Sequence, residues 1–266
     1  MFNIIRSLNY SARRDTVNWI AIISMLGLPV FIMYISGLIN GDTLSKPTPS
    51  YYFASQELAT VFVFLSFGIM IFACKLVAGD AGDKTLNYEL MAGHSRNRVY
   101  AGRMTAGYIW GAILVFILMM IPVGVLDLLY GWGPETVKSE VLIRCLLTFF
   151  PLLRLCAYNM MLASLVRSAG KGIALGYASF MAVAFVASFL QEMLEIDITY
   201  PTAFTNAAFL LVSENSRFIV QDGRQIQVFD TTVTGDMVWK TIAVSLAMSA
   251  VYMIIAYINF KKTDRD

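Results

Sequence analysis

Residues 57–78, ELATVFVFLSFGIMIFACKLVA, carry no charge between Glu57 and Lys75. A helix rises about 1.5 Å per residue, so a stretch of this length covers about 33 Å, enough to cross roughly 30 Å of hydrocarbon. Five further stretches repeat the pattern, at 17–39, 106–129, 141–166, 172–194 and 237–260. In lipid, every backbone N–H and C=O has to be satisfied within the segment or a closed barrel, and unbroken apolar runs do this as helices, since barrel strands alternate. Composition agrees, with 58% hydrophobic and 14% charged residues where a soluble domain carries about 25% charged. The mean hydropathy is +0.64. The pattern predicts an all-α integral membrane protein, one transmembrane domain over 1–266 with six transmembrane helices.

The distribution of Lys and Arg predicts orientation. Twelve fall on one side of the six spans: Arg6, Arg13, Arg14, Lys84, Arg96, Arg98, Arg103, Arg167, Lys171, Lys261, Lys262 and Arg265. Four fall on the other, at Lys46, Lys138, Arg217 and Arg224, so both termini are expected in the cytoplasm of a cell-membrane protein. The net charge of +2 implies no nucleic-acid partner. Cys74, Cys145 and Cys156 lie inside spans and read as small packing residues. The first span is longer than the h-region of a signal peptide and no small-x-small cleavage pattern follows it, so it is expected to be retained.

Ahead of that span, Phe2, Ile4, Ile5 and Leu8 recur at helical spacing, and Arg6, Arg13 and Arg14 fill the other face. Residues 1–16 therefore read as an amphipathic helix on the inner membrane surface. The loop at 79–105 is the long cytoplasmic connection. Leu86, Leu90 and Met91 give it a short helix with one apolar side, with Asp83 or Thr85 to cap its start and Gly93 suited to its end.

This loop runs Gly82-Asp83-Lys84-Thr85-Leu86, then Glu89-Leu90-Met91, Gly93-His94-Ser95-Arg96 and Gly102-Arg103. It resembles the membrane subunits of ABC-2 type transporters, whose loop follows a pattern close to Arg-x-x-Gly-Thr-Leu-x-x-Leu-Leu-x-x-Pro-x-Ser-Arg and then Gly-Lys. Lys84 stands where the family has Gly, Gly93 or His94 where it has Pro, and Arg103 where it has Lys. The motif covers about 20 residues, and the six-span plan extends the resemblance over the rest of the chain. The resemblance implies a permease that works as a homodimer or with a second, similar chain, on two copies of a separate ATPase. It implies that Lys84, Thr85, Leu86, Asn87, Tyr88, Glu89, Leu90, Met91, His94, Ser95 and Arg96 couple the two. No Gly-x-x-x-x-Gly-Lys-Ser/Thr phosphate loop occurs in the chain, so no cofactor is expected on it, and ATP and Mg are expected on the partner.

The outer segment, 195–236, is acidic. Residues 200–212 read as one or two shallow helices. Arg217–Gln221 and Arg224–Val228 flank Asp222-Gly223, which predicts a two-residue β-hairpin with a type I′ turn. Such a segment serves either as an outer cap of the pathway or as a decoration without a transport role.

Lys75, Asp127, Arg144 and Lys240 lie near span ends, where their heads can snorkel to the interface. Arg154 lies about 20 Å along its span, deep enough that it needs a cavity or partners, such as Asn159 or carbonyls freed by Pro151. It reads either as a pathway residue or as an interhelical clamp. Pro29, Pro122 and Pro151 are expected to kink their helices, and Gly107-x-x-x-Gly111 and Gly172-x-x-x-Gly176 permit close helix approach.

These features favour an exporter of an amphipathic peptide, hydrophobic drug or lipid-like molecule. A non-transporting anchor or sensory component would keep the same architecture. A membrane enzyme would need clustered chemistry, yet the one His is His94, and an ion-driven carrier would show midplane acids.

Overall fold

The computed structural model describes residues 2–16, 18–20, 22–24, 26–27, 31, 48–54, 57–78, 93–166, 168–211, 216–221 and 224–262. Most of the expected first span, Pro29 included, and loop residues 79–92 lie outside them. The elements in chain order are α1 (Phe2–Arg14), α2 (Pro49–Ala54), α3 (Glu57–Ala78), α4 (Arg96–Tyr130), α5 (Lys138–Val166), α6 (Ala169–Leu194), α7 (Ala203–Leu211), β1 (Ser216–Gln221), β2 (Arg224–Phe229) and α8 (Gly235–Lys262). Among the described residues, α4, α5, α6 and α8 are long and apolar enough to cross a membrane, and α3 adds the apolar stretch Ser66–Ala78. Helices dominate, as the apolar pattern predicts, and the described sheet is a single two-stranded hairpin.

The central helix is α5. Buried residues line it from Val141 to Ser164, because α3, α4, α6, α7 and α8 all pack around it. Two glycine pairs allow this. A Cβ on Gly111 of α4 would sit 2.8 Å from the Cys156 sulfur, and one on Gly107 would collide with Met160. On α6, a Cβ on Gly172 would lie 3.2 Å from the Ala163 backbone, and one on Gly176 would collide with Asn159. Both small-residue pairs are thus close-approach surfaces for α5. Cys74, Cys145 and Cys156 are free and buried in this packing, in keeping with their reading as apolar fillers. Pro122 and Pro151 lie inside α4 and α5, which run on through them.

Chain direction follows from the pairs. Ala163 and Asn159 meet Gly172 and Gly176, so α6 runs antiparallel to α5. The α8 helix runs parallel to α5: Met237 clusters with Leu147, the Tyr252 ring lies 5.3 Å from that of Tyr158, and Asn259 Nδ2 donates to the Ser164 carbonyl at 3.1 Å. The bundle therefore has a loop end, where α4 begins and α8 finishes, and a hairpin end.

At the loop end, α1 lies on α4. Ile4, Leu8 and Ala12 form its buried stripe, one per helical turn, and Ile4 would meet a Cβ on Gly102 at 3.0 Å. The last carbonyls of α1 are capped by side chains, with Asn18 Nδ2 on Ala12 at 3.1 Å and Trp19 Nε1 on Arg13 at 2.7 Å. An ion pair between Asp15 and Lys75 ties this corner to α3.

The hairpin pairs Gln221 with Arg224 and Ser216 with Phe229, the register of the two-residue loop expected at 222–223. Those two residues lie outside the described set. The Phe229 N–H donates to the Glu135 carbonyl at 2.9 Å, docking the hairpin on the α4–α5 connection.

Candidate functional site

Two regions hold the functional residues expected from the sequence: the approach to α4 and the interior of α5. At the first, Lys84, Thr85, Leu86, Asn87, Tyr88, Glu89, Leu90 and Met91 lie outside the described residues. His94, Ser95 and Arg96 are described. Gly93 has φ +83, in the left-handed region that favours glycine. Ser95 is extended at the N-cap of α4, and its carbonyl accepts the N–H groups of Arg98 and Val99.

The helix begins at Arg96, ten residues before the apolar run at 106. Arg96 and Arg98 are exposed, but Val99 and Tyr100 are buried, and Tyr100 donates to the Met253 carbonyl of α8 at 2.6 Å. The arginines extend the helix because their charges face outward while its apolar side stays packed. Arg103, 4% exposed, turns inward and reaches the Val77 carbonyl near the end of α3. His94–Arg96 therefore abut a rigid helix that touches α1, α3, α5 and α8.

At the second region, Arg154 is 2% exposed. Its Nη1 donates to the Tyr200 carbonyl at 3.1 Å and its Nη2 to that of Pro201. The Tyr252 hydroxyl lies beside the guanidinium. Asn159, expected as its partner, instead turns Nδ2 to the Leu155 carbonyl one turn back, at 2.8 Å, and crosses Gly176. The carbonyls that hold Arg154 likewise belong to the α6–α7 connection rather than to the turn before Pro151.

These bonds explain how an irregular segment enters the bundle. Beyond α6 the chain passes through residues 195–202 and reaches the level of Arg154, where Phe204 meets Phe180 of α6 edge-to-face at 5.0 Å. Helix α7 then runs back toward the hairpin end, with Leu210 against Leu147 and Met237. Non-helical backbone survives inside a bundle only if its polar groups are satisfied. Thr205 Oγ1 lies within hydrogen-bond reach of the Ile198 and Thr199 carbonyls, at 2.7 and 3.1 Å, Thr202 Oγ1 accepts from the Thr205 N–H at 3.0 Å, and Arg154 holds the carbonyls of Tyr200 and Pro201. Helix α7 falls within the expected 200–212, and its Asn206, Ala207, Leu210 and Leu211 are buried against the bundle.

Arg144 departs from expectation. Its head is held by the protein: it is 7% exposed, with Nε donating to the Thr231 carbonyl at 2.9 Å and Nη2 to that of Thr232 at 3.1 Å. Thr231 in turn donates to Glu140 at 2.6 Å. Distance from the span end could not reveal this, because the partners lie 87 and 88 residues away. The other near-end charges form pairs: Asp15 with Lys75, Asp127 with Lys138 at 2.6 Å, and Asp236 with Lys240 at 2.7 Å.

A cavity of about 520 Å³ opens beside Arg144's partners, lined by Val137, Glu140, Arg217, Phe229 and Asp230. Hydrogen bonds from the Thr232 hydroxyl and N–H hold the Asp230 carboxyl below the usual carboxylate range, with Arg144 and Arg217 adding to the effect. Asp197, on the way into α7, is lowered in the same way by Thr199. No protein-family model matches the chain, and no curated protein matches it.

Proposed function

We propose that the chain is the membrane-spanning subunit of an ATP-driven exporter of the ABC-2 type. It spans the cell membrane six times with both termini in the cytoplasm, paired with a copy of itself or a similar permease. Two copies of a separate ATPase drive it through the loop at 79–105. ATP closes the ATPases, the loop carries the displacement into the bundle, and the pathway opens outward for an amphipathic peptide, hydrophobic drug or lipid-like cargo. The shift requires that ATP and cargo bind the two states with different affinity.

The observation that supports this reading is mechanical. Residues 93–95 lead straight into a 35-residue helix, and α1 lies along its first turns with Ile4 on Gly102. A push on the loop would therefore move α4 and α1 together, and through the glycine contacts would bear on α5. The Met- and aromatic-rich composition suits cargo of variable shape.

Isolation of the full chain from its own membrane in mild detergent tests the proposal. A Walker-motif ATPase is expected to co-purify and to be lost when Leu86, Tyr88 or Leu90 is changed to Asp. A chain that purifies without any ATPase, or that keeps it in all three variants, contradicts the reading.

A further inference from the structure

Arg154 carries a permanent charge into the middle of the bundle, and no carboxylate pairs with it among the described residues. Two carbonyl dipoles take up its Nη1 and Nη2, and the Tyr252 hydroxyl bonds the guanidinium as well. Its Nε–H, buried, has no hydrogen-bond partner. Two other buried donors stand on the adjoining helices in the same condition. Asn206 of α7 is 0% exposed; its Oδ1 accepts from Thr241 at 3.3 Å, and its Nδ2 has no partner. Ser245 of α8 is 1% exposed, and its hydroxyl has none either.

These groups lie within about one helical turn of one another along the bundle. The Asn206–Thr241 bond sets α7 beside α8, and Ser245 follows Thr241 by one helical turn, about 6 Å. Pro201, whose carbonyl Arg154 holds, is separated from Asn206 by the first turn of α7. That turn also presents the positive end of the α7 dipole. All three unpaired groups can donate, so the junction combines surplus donors with a surplus positive charge. Water would satisfy the donors and leave the charge uncompensated, the costlier deficit at low dielectric. An anion satisfies both.

We propose that the junction of α5, α7 and α8 binds a compact anion, a halide or a carboxylate, through Arg154, Asn206 and Ser245. The site does not depend on the chain being driven by an ATPase. A carboxylate reaches it either as a free ion or as the head of an amphipathic molecule.

The test is thermal unfolding of the purified full chain in detergent, followed by tryptophan fluorescence, with sodium chloride, formate, octanoate or gluconate at one ionic strength. Chloride and formate are expected to raise the midpoint saturably by several degrees over gluconate, which is too bulky for the site. Octanoate acting at lower concentration than formate supports the headgroup source, and equal potency supports the free ion. Arg154→Gln is expected to abolish the response. Ser245→Ala, which removes a single donor and spares the fold, is expected to weaken apparent affinity several-fold. Equal midpoints in chloride, formate and gluconate overturn the site, as does an unchanged response in Ser245→Ala together with Asn206→Leu.

Discussion

Arg144 and Arg154, about 15 Å apart along one helix, grip opposite ends of the segment between α6 and α8: Arg154 holds the Tyr200 and Pro201 carbonyls, and Arg144 those of Thr231 and Thr232. Hydrogen bonds from charged donors contribute roughly 1.5–3 kcal/mol each. Loss of either arginine should therefore destabilise by about 3 kcal/mol or more and free a different stretch. Hydrogen exchange checks this: Arg154→Ala should speed exchange in 198–211 and Arg144→Ala in 229–235. A uniform increase in both would show that the segment opens as one unit.

The glycine pairs make a packing prediction. Gly111→Leu and Gly176→Leu each drive a side chain into a neighbour on α5, Cys156 or Asn159. Overpacking of this kind costs about 1–3 kcal/mol. Gly170→Leu, where a Cβ meets nothing within 4 Å, should be near neutral. Thermal melting of the three variants checks the order.

Much of the packing was legible before the fold, but only where the signal is local. Asp222-Gly223 between two short strand-forming runs specifies the hairpin and its register, because a two-residue loop leaves no other pairing. The α1 stripe is legible from its spacing. The start of α4 was hidden, since arginines on the outer face of a helix look like loop charges until Val99 and Tyr100 are seen to be buried. The partners of Arg144 and Arg154 were hidden for another reason: backbone carbonyls carry no mark in a sequence, and these come from residues at least 46 positions away.

Asp230 predicts a pH dependence. Its carboxyl is held below its unfolded value, so the stability it contributes is present above the ordinary carboxylate range and is lost as pH falls through the lowered folded value. Residues 229–235 should exchange faster under acidic conditions. Asp230→Asn should show fast exchange already at neutral pH and lose the acid step.

The proposed orientation, with both termini in the cytoplasm, predicts sidedness. Cysteines introduced at Ser95 and Ser216, both exposed, should react with an impermeant maleimide from opposite sides. In intact cells Ser216→Cys should label and Ser95→Cys should not. Labelling of Ser95→Cys from outside would invert the assignment.

ATP hydrolysis in the isolated membrane complex tests the central claim most directly. The rate should fall several-fold when Leu86 and Leu90 are both replaced by Asp, with the variant chain still inserted in the membrane. A rate unchanged by the double substitution, or the same with the chain omitted, would contradict it.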